Sequence, residues 1–125
     1  MEDKMNDLIL ILLSFQQKIK FLHWQTTSYS YHNAFGNSYK ELDILIDSLV
    51  ETYIGKYGRL KLEKSLELKI QFNDKELEII EDIDKLISLL ECFDKRLKEK
   101  DTDLFNIRDE ILMNLNKLKY HLSLS

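Results

Sequence analysis

Residues 21–59 read FLHWQTTSYSYHNAFGNSYKELDILIDSLVETYIGKYGR, and this stretch decides both the fold and the candidate chemistry. It holds two of the chain's three histidines, His23 and His32, followed by the carboxylates Asp47 and Glu51. Imidazole and carboxylate side chains together form a ligand set that suits iron, and helical periodicity groups these residues. The stretch therefore raises two interpretations, a metal-binding protein and a helical structural protein.

Length and composition favour a helical fold. At 125 residues we expect one domain, residues 1–125, with a sizeable core. The chain has no proline and only three glycines, whereas a β-rich fold needs turn residues throughout. The single Cys92 cannot form an internal disulfide, which favours a reducing compartment.

Charge and hydropathy restrict the partners that we expect. The net charge is −4 and neither terminus carries a cluster of Lys or Arg, so nucleic-acid binding is not expected. The longest apolar run, residues 8–13, is too short to cross a bilayer, and the acidic start MEDKMND does not resemble a signal peptide. These features predict a soluble, cytoplasmic protein with no membrane contact.

Hydrophobic periodicity predicts four helices and one unusual connection. The helices cover residues 3–26, residues 31–57, a segment from Asn73 or Asp74 through Leu97, and a segment capped by residues 101–103 that reaches Leu122. Residues 59–72 instead alternate apolar and polar side chains with a period of two, which predicts an extended, strand-like crossover. Four amphipathic helices with a long connection between the second and third describe a ferritin-like four-helix bundle.

Helix geometry limits how the four candidate ligands can meet. His32 and Asp47 lie on one helix and are separated by about 22 Å of helix rise, so one metal ion cannot bind both within a chain. His23, at the end of the first helix, can approach His32 across the short connection. A joint site therefore needs a second, antiparallel copy, with a two-fold axis near residues 39–41 and a homodimer contact through the second helix. Gly36 lies on this face and would let the paired helices approach closely.

Spacing alone leaves both interpretations open. A single histidine on a helix is more often a packing residue than a ligand, and acidic pairs on helices are usually solvated.

The first helix is also apolar on more than one side, through Ile9, Ile11 and Leu13, which predicts burial against a second subunit as well as its own bundle.

The motif Leu22-His23-Trp24, followed by His32, Asp47 and Glu51, resembles the Dps-like miniferritins. In that family a His-Trp pair closes the first helix, and a second His, an Asp and a Glu follow on the second with the spacing seen here. The sequence of residues 31–59 and 101–112 is more similar still to an uncharacterised ferritin-like family of tailed phages and large DNA viruses. The resemblance implies a two-fold dimer that binds iron at its interface, oxidises ferrous iron and stores it in a larger cage.

The chain departs from the miniferritin pattern at two places. The family's further carboxylate, four residues after the second histidine, falls on Gly36, and the short helix between the second and third helices is replaced by residues 59–72. We therefore carry two hypotheses. In the first, His23, His32, Asp47 and Glu51 bind iron as a ferroxidase or iron-storage site. In the second, the chain is a viral structural or assembly protein, present in the virion, that keeps the dimer with a degenerate metal site.

Overall fold

The computed structural model describes the backbone of residues 2–95 and 98–124, and the side chains of residues 4–93 and 98–124. The described chain is a bundle of four helices with no strand. Helix α1 spans Glu2–Gln25, α2 Tyr29–Tyr57, α3 Ile79–Glu91 and α4 Thr102–Leu122. Short 3₁₀ turns, Glu76–Glu78 and Cys92–Lys95, flank α3. No described helix has the length and hydropathy needed to span a membrane.

Helices α1 and α2 form an antiparallel hairpin with a very short connection. Ser28 caps α2, because its hydroxyl accepts a hydrogen bond from the Tyr31 N–H, which the helix leaves unsatisfied. At the far end, Gly58 closes α2 with a φ of 97°, a conformation that glycine adopts without steric cost. The cap at Ser28 therefore starts α2 two residues earlier than the sequence predicts.

Long-range contacts define the direction of each element. The crossover, residues 58–75, begins beside the start of α1, where Asn6 Nδ2 donates to the Lys61 carbonyl at 3.0 Å. It ends beside the C-terminal part of α1, where the Phe72 and Phe21 rings meet edge to face at 5.7 Å. The crossover therefore returns the chain to the end of the bundle at which α2 began, and α3 runs parallel to α2.

Helix α4 packs against α2 in the opposite direction. Lys56 near the end of α2 pairs with Asp103 at the start of α4 at 2.7 Å. Further along, the buried Ser38 hydroxyl donates to Asn114 Oδ1 at 2.8 Å, and Asn114 Nδ2 donates back to the Ser38 carbonyl at 3.2 Å. These contacts give two neighbouring antiparallel pairs joined by one long crossover.

The predicted apolar stripes form the core at most positions. Buried members of these stripes come from all four helices and pack into one cluster. They are Leu8, Leu12, Phe15, Ile19, Phe35, Leu42, Ile46, Leu49, Tyr53, Ile83, Leu90, Leu104, Ile111, Leu115, Leu118 and Leu122. On α1, Ile9 is buried and Leu13 is half-buried, whereas Ile11 remains 43% exposed.

Two sequence-based expectations for the second half of the chain need correction. Residues 59–72 have no regular secondary structure and bend at Lys64. They form no strand, because they lie against side chains of α1, which offer no backbone partner for a β ladder. Helix α3 starts at Ile79 rather than at Asn73 or Asp74. After the Phe72 contact with α1 the chain bends at residues 74 and 75 and then forms the 3₁₀ turn Glu76–Glu78. It ends at Glu91, and Leu97 lies outside the described residues.

Asp101 holds the end of α2 to the start of α4. Its carboxylate is fully buried and accepts hydrogen bonds from Tyr57 Oη at 2.7 Å and from the Lys98 N–H at 2.9 Å, and Lys56 Nζ lies 3.0 Å away. Burial alone would raise the pKa of Asp101, but the hydrogen bonds from Lys98, Tyr57 and Lys56 lower that pKa to about 2. The predicted capping bond from this side chain to α4 does not form, because its oxygens are used by these partners.

Candidate metal centre

His23 and His32 meet at the end of the α1–α2 hairpin. Their rings stack with centroids 3.8 Å apart and planes inclined by 16°. Both residues are half-buried. The short connection predicts this approach, and the structure shows that it is a direct ring contact.

Reciprocal hydrogen bonds hold the two rings. His23 Nδ1 lies 2.7 Å from the His32 carbonyl oxygen, and His32 Nδ1 lies 2.7 Å from the His23 carbonyl oxygen. A carbonyl oxygen only accepts, so each Nδ1 must carry the proton and donate. In the neutral rings each Nε2 is then the lone-pair nitrogen. A backbone carbonyl that fixes the tautomer of a histidine in this way is typical of metal-binding histidines.

Gly36 makes the space that His23 occupies. It lies one turn after His32 and is buried, and a Cβ placed on it would lie 2.8 Å from His23 Cε1 and 3.0 Å from His23 Nδ1. Real Cβ atoms essentially never come within 3.0 Å of such an atom. Gly36 therefore faces α1 of its own chain, which corrects the expectation that it serves a contact between two copies of α2. A carboxylate at this position would displace the His23 ring.

Aromatic residues and one lysine surround the pair. Tyr39 meets the His23 ring edge-on at 5.3 Å, and Tyr29 lies over His32 at 6.3 Å. Lys20 Nζ lies 5.6 Å from the centre of the Tyr39 ring and 5.7 Å from that of Trp24. The Trp24 and Tyr29 side chains are 60% and 79% exposed, so the aromatic surface at this end of the hairpin faces outward.

Asp47 and Glu51 are exposed and lie far along α2 from the histidines. Asp47 is about 22 Å of helix rise from His32, and Glu51 is one further turn away. Across the described side chains, no three His, Cys, Asp or Glu residues gather into a group that could hold a metal ion. One chain therefore presents two halves of the candidate ligand set, nitrogen donors at one end of the hairpin and oxygen donors toward the other.

The two carboxylates belong to one continuous exposed face of α2. At 100° per residue, this face occupies a sector adjacent to α1, and every member is exposed. Ile44, near the middle, is 70% exposed although it is a large aliphatic side chain. The members are Tyr29, Asn33, Asn37, Lys40, Ile44, Asp47 and Glu51.

The acidic pair on α4 and the third histidine of the chain do not join the site. Asp109 and Glu110 are exposed on α4 and do not face the bundle interior. His121 is exposed and lies against Tyr120, with ring centroids 5.6 Å apart. Sequence reasoning missed the roles of Gly36 and Lys20. The role of Gly36 could have been inferred from the sequence, because a glycine one helical turn after His32 leaves space beside that histidine. The position of Lys20 over Tyr39 depends on the packing of α1 against α2 and could not have been inferred.

Residues 23–122 match a family of unknown function, DUF5856. The match covers most of the chain, begins at His23 and includes all four candidate ligands, and the chain therefore belongs to this family. No match was found among curated proteins or among solved structures.

Proposed function

We propose that this DUF5856 protein is a ferritin-like subunit that binds iron at a two-fold homodimer interface and oxidises ferrous iron there. The observation that carries the proposal is the stacked pair His23 and His32, with both Nδ1 atoms held by backbone carbonyls. Both imidazoles are in the tautomer that leaves Nε2 as the ligand atom. Because each lone pair lies in the plane of its own ring and the two planes are nearly parallel, one ring turns out of the stack when both nitrogens bind one ion.

The topology supports a ferritin-like assignment. Two antiparallel helix pairs joined by one long crossover, with α2 parallel to α3, are the arrangement of ferritin-like bundles. In such bundles metal sites are built from side chains on facing helices. Here the candidate ligands lie on the outer face of the α1–α2 hairpin, so a second copy must complete the site.

A two-fold axis near Lys40 would form two complete metal sites per dimer. In an antiparallel pair of α2 helices with this axis, His32 of one copy lies level with residue 48 of the other, and therefore beside the other copy's Asp47. Ile44 of each copy lies level with residue 36 of the other. Each site would receive His23 and His32 from one copy and Asp47 and Glu51 from the other.

The ligand types suit a ferrous substrate. Two neutral imidazoles and two carboxylates compensate the charge of Fe²⁺, and such a mixed nitrogen and oxygen set is typical of non-haem iron sites. Four protein ligands leave coordination positions for an oxidant of the peroxide or oxygen class. The exposed Trp24 and the adjacent Tyr39 lie beside the histidine half of the site.

A second candidate function is an assembly role on the same dimer without iron chemistry. Gly36 supports this role. Miniferritins carry an additional carboxylate one turn after the second histidine, and here the His23 ring occupies the space that such a side chain would need. The ligand set is then smaller than in a miniferritin. Iron binding separates the two functions, since an assembly protein would form the dimer but take up no iron.

Mixed dimers test the shared site. His32→Ala and Asp47→Ala should each abolish ferrous binding as homodimers, measured by anaerobic Fe²⁺ titration. After the two variants are unfolded and refolded together, half of the dimers contain one of each, and each such dimer has one intact site. About a quarter of wild-type iron binding should therefore return.

Asp109→Ala, an exposed carboxylate on α4, is the matched control and should bind iron as the wild type does. Full loss in the mixture, or iron binding that survives His32→Ala, would refute the shared site. A wild-type protein that forms the dimer without any iron uptake would favour the assembly role.

A further inference from the structure

A groove lies between α1 and α3, beside the last part of the crossover. Its volume is about 480 Å³, which is within the range of small-molecule sites. Side chains from both helices and from residues 69–71 line it. The backbones of α1 and α3 make far less close contact than those of α1 and α2 or of α2 and α4. Direct helix packing therefore leaves this side of the bundle open.

Most of the groove lining is apolar. Phe15 and Leu86 are buried at its floor, whereas Ile11 at one end is 43% exposed although it is a large aliphatic side chain. Because α3 runs antiparallel to α1, Leu89 lies at the same end as Ile11, and Ile70 of the crossover is half-buried beside the groove. An apolar ligand that covers such a concave surface removes it from water, which favours binding.

The opposite end of the groove is cationic. Lys18 of α1 forms an ion pair with Asp82 of α3, about 10 Å along α1 from Ile11. The Lys18 ammonium also lies 5.9 Å from the centre of the Phe72 ring. Residues 69–71, which directly precede Phe72, therefore lie at this same end.

The lysines around the groove are only partly compensated. Lys18 is paired with Asp82, whereas Lys69 and Lys85 are exposed and have no carboxylate partner among the described side chains. The described ionisable groups that line the groove are these three lysines and one aspartate, which give a local charge of +2 in a chain of net charge −4. A ligand with an apolar chain and one negative end is complementary to this arrangement.

The dimensions of the groove favour a small ligand over a partner helix. A helix with its side chains is about 10–12 Å wide, whereas here the ion pair closes one end and residues 69–71 line one side. The distance of about 10 Å between Ile11 and Lys18 limits the length of chain that the apolar part can cover. A single aliphatic chain of medium length meets both limits.

We propose that this α1–α3 groove binds a free, single-chain aliphatic carboxylate of medium length. The chain lies over Phe15 and Leu86, and the carboxylate lies beside Lys69 and Lys85. The site uses none of the four candidate iron ligands, so it is independent of the proposed iron function.

Calorimetric titration with decanoate, kept below its micelle concentration at neutral pH, tests the ligand chemistry. The full chain should bind decanoate saturably, with a single molecule per chain. Octanoate, which is two methylene groups shorter, should bind about tenfold more weakly or worse, because each buried methylene strengthens binding about fourfold. Decanol has the same chain without the charge and should bind about threefold more weakly or worse.

Charge-reversed and polar variants test the position of the site. Lys69→Glu and Lys85→Glu should each weaken decanoate binding by about threefold or more. Lys64→Glu is the matched control, since Lys64 is exposed on the same crossover and does not line the groove. Ile11→Ser should also weaken binding by about threefold or more, whereas Met113→Ser on α4 should bind as the wild type does. All five residues are exposed, so folding should be unaffected.

Four results would overturn the proposal. Decanoate binding that never saturates, or that falls equally in Lys69→Glu and Lys64→Glu, would show that no specific site exists. Decanol binding as tight as that of decanoate would remove the role of the lysines. Binding to phosphatidylglycerol vesicles through Lys69, without binding of decanoate in solution, would place the anion in a membrane. A dimer dissociation constant that changes in Lys69→Glu, without decanoate binding, would assign the groove to a second copy.

The iron site and the groove can be tested separately in one variant. His32→Ala should bind decanoate as the wild type does, because His32 lies outside the groove. Loss of iron binding in this variant therefore leaves the decanoate measurement unaffected.

Discussion

Gly36→Ala perturbs the histidine pair at the point where the structure leaves no room. The new Cβ would lie 2.8 Å from His23 Cε1, so the ring must move by about half an ångström or more to reach ordinary van der Waals contact. The ring cannot make that movement freely, because it is stacked on His32 at 3.8 Å and bonded through Nδ1 at 2.7 Å.

The expected stability change is small because two effects oppose each other. Alanine in place of glycine in a helix stabilises by about 1 kcal/mol. Weakening one or both reciprocal hydrogen bonds costs about 0.5–1.5 kcal/mol each. The free energy of unfolding should therefore fall by about 0–2 kcal/mol. Ferrous binding should fall by about tenfold or more, because the hydrogen bond that fixes the His23 tautomer is weakened.

Gly55→Ala is the matched control on the same helix. Gly55 is exposed, and a Cβ placed there meets nothing within 4 Å. This variant should gain up to about 1 kcal/mol in chemical denaturation and bind iron unchanged. Imidazole ¹⁵N chemical shifts should report altered hydrogen bonding at His23 only in Gly36→Ala. Unchanged shifts and unchanged iron affinity in Gly36→Ala would refute the role given to Gly36.

Two further predictions concern the contacts between α2 and α4. Asp101 has a folded pKa of about 2 against an ordinary value of 3.8, so its carboxylate should stabilise the fold by about 2 kcal/mol above pH 4 and lose this effect as pH falls toward 2. In urea unfolding from pH 2 to 6, Asp101→Asn should lower stability at pH 6 and flatten the dependence below pH 4, and an unchanged slope would contradict the assignment. Ser38→Ala should cost about 1–3 kcal/mol, since it leaves the buried Asn114 Oδ1 without its donor. Thermal unfolding of Ser38→Ala beside Ser48→Ala, a half-buried serine on the same helix, should show the larger loss at position 38.

Local patterns predicted the helices well because the information lies within each segment. The core stripes of α1, α2 and α4 repeat at three- and four-residue spacing, and their ends carry recognisable signals such as Gly58. The start of α3 was placed five or six residues too early. There Phe72 is held against Phe21 of α1, and the chain bends at residues 74 and 75 before the helix begins, which no local pattern encodes.

Position 36 illustrates a residue whose role the sequence alone could not assign. From spacing, Gly36 was interpreted as part of a face between two copies of α2. In the structure the His23 ring, from α1 of the same chain, occupies the space that a side chain at position 36 would fill. The helical wheel gives the direction in which a residue points, but not which neighbouring element lies there.

The sequence by itself determined that this chain is a helical bundle and that His32 and Asp47 cannot share a metal ion within one copy. Both conclusions follow from helical periodicity and rise, which are properties of a single segment. Only the tertiary structure decided that His23 and His32 stack, that each Nδ1 donates to the other residue's carbonyl, and that Nε2 keeps the lone pair. Those features depend on the packing of one helix against another, where displacements of half an ångström make or break a contact.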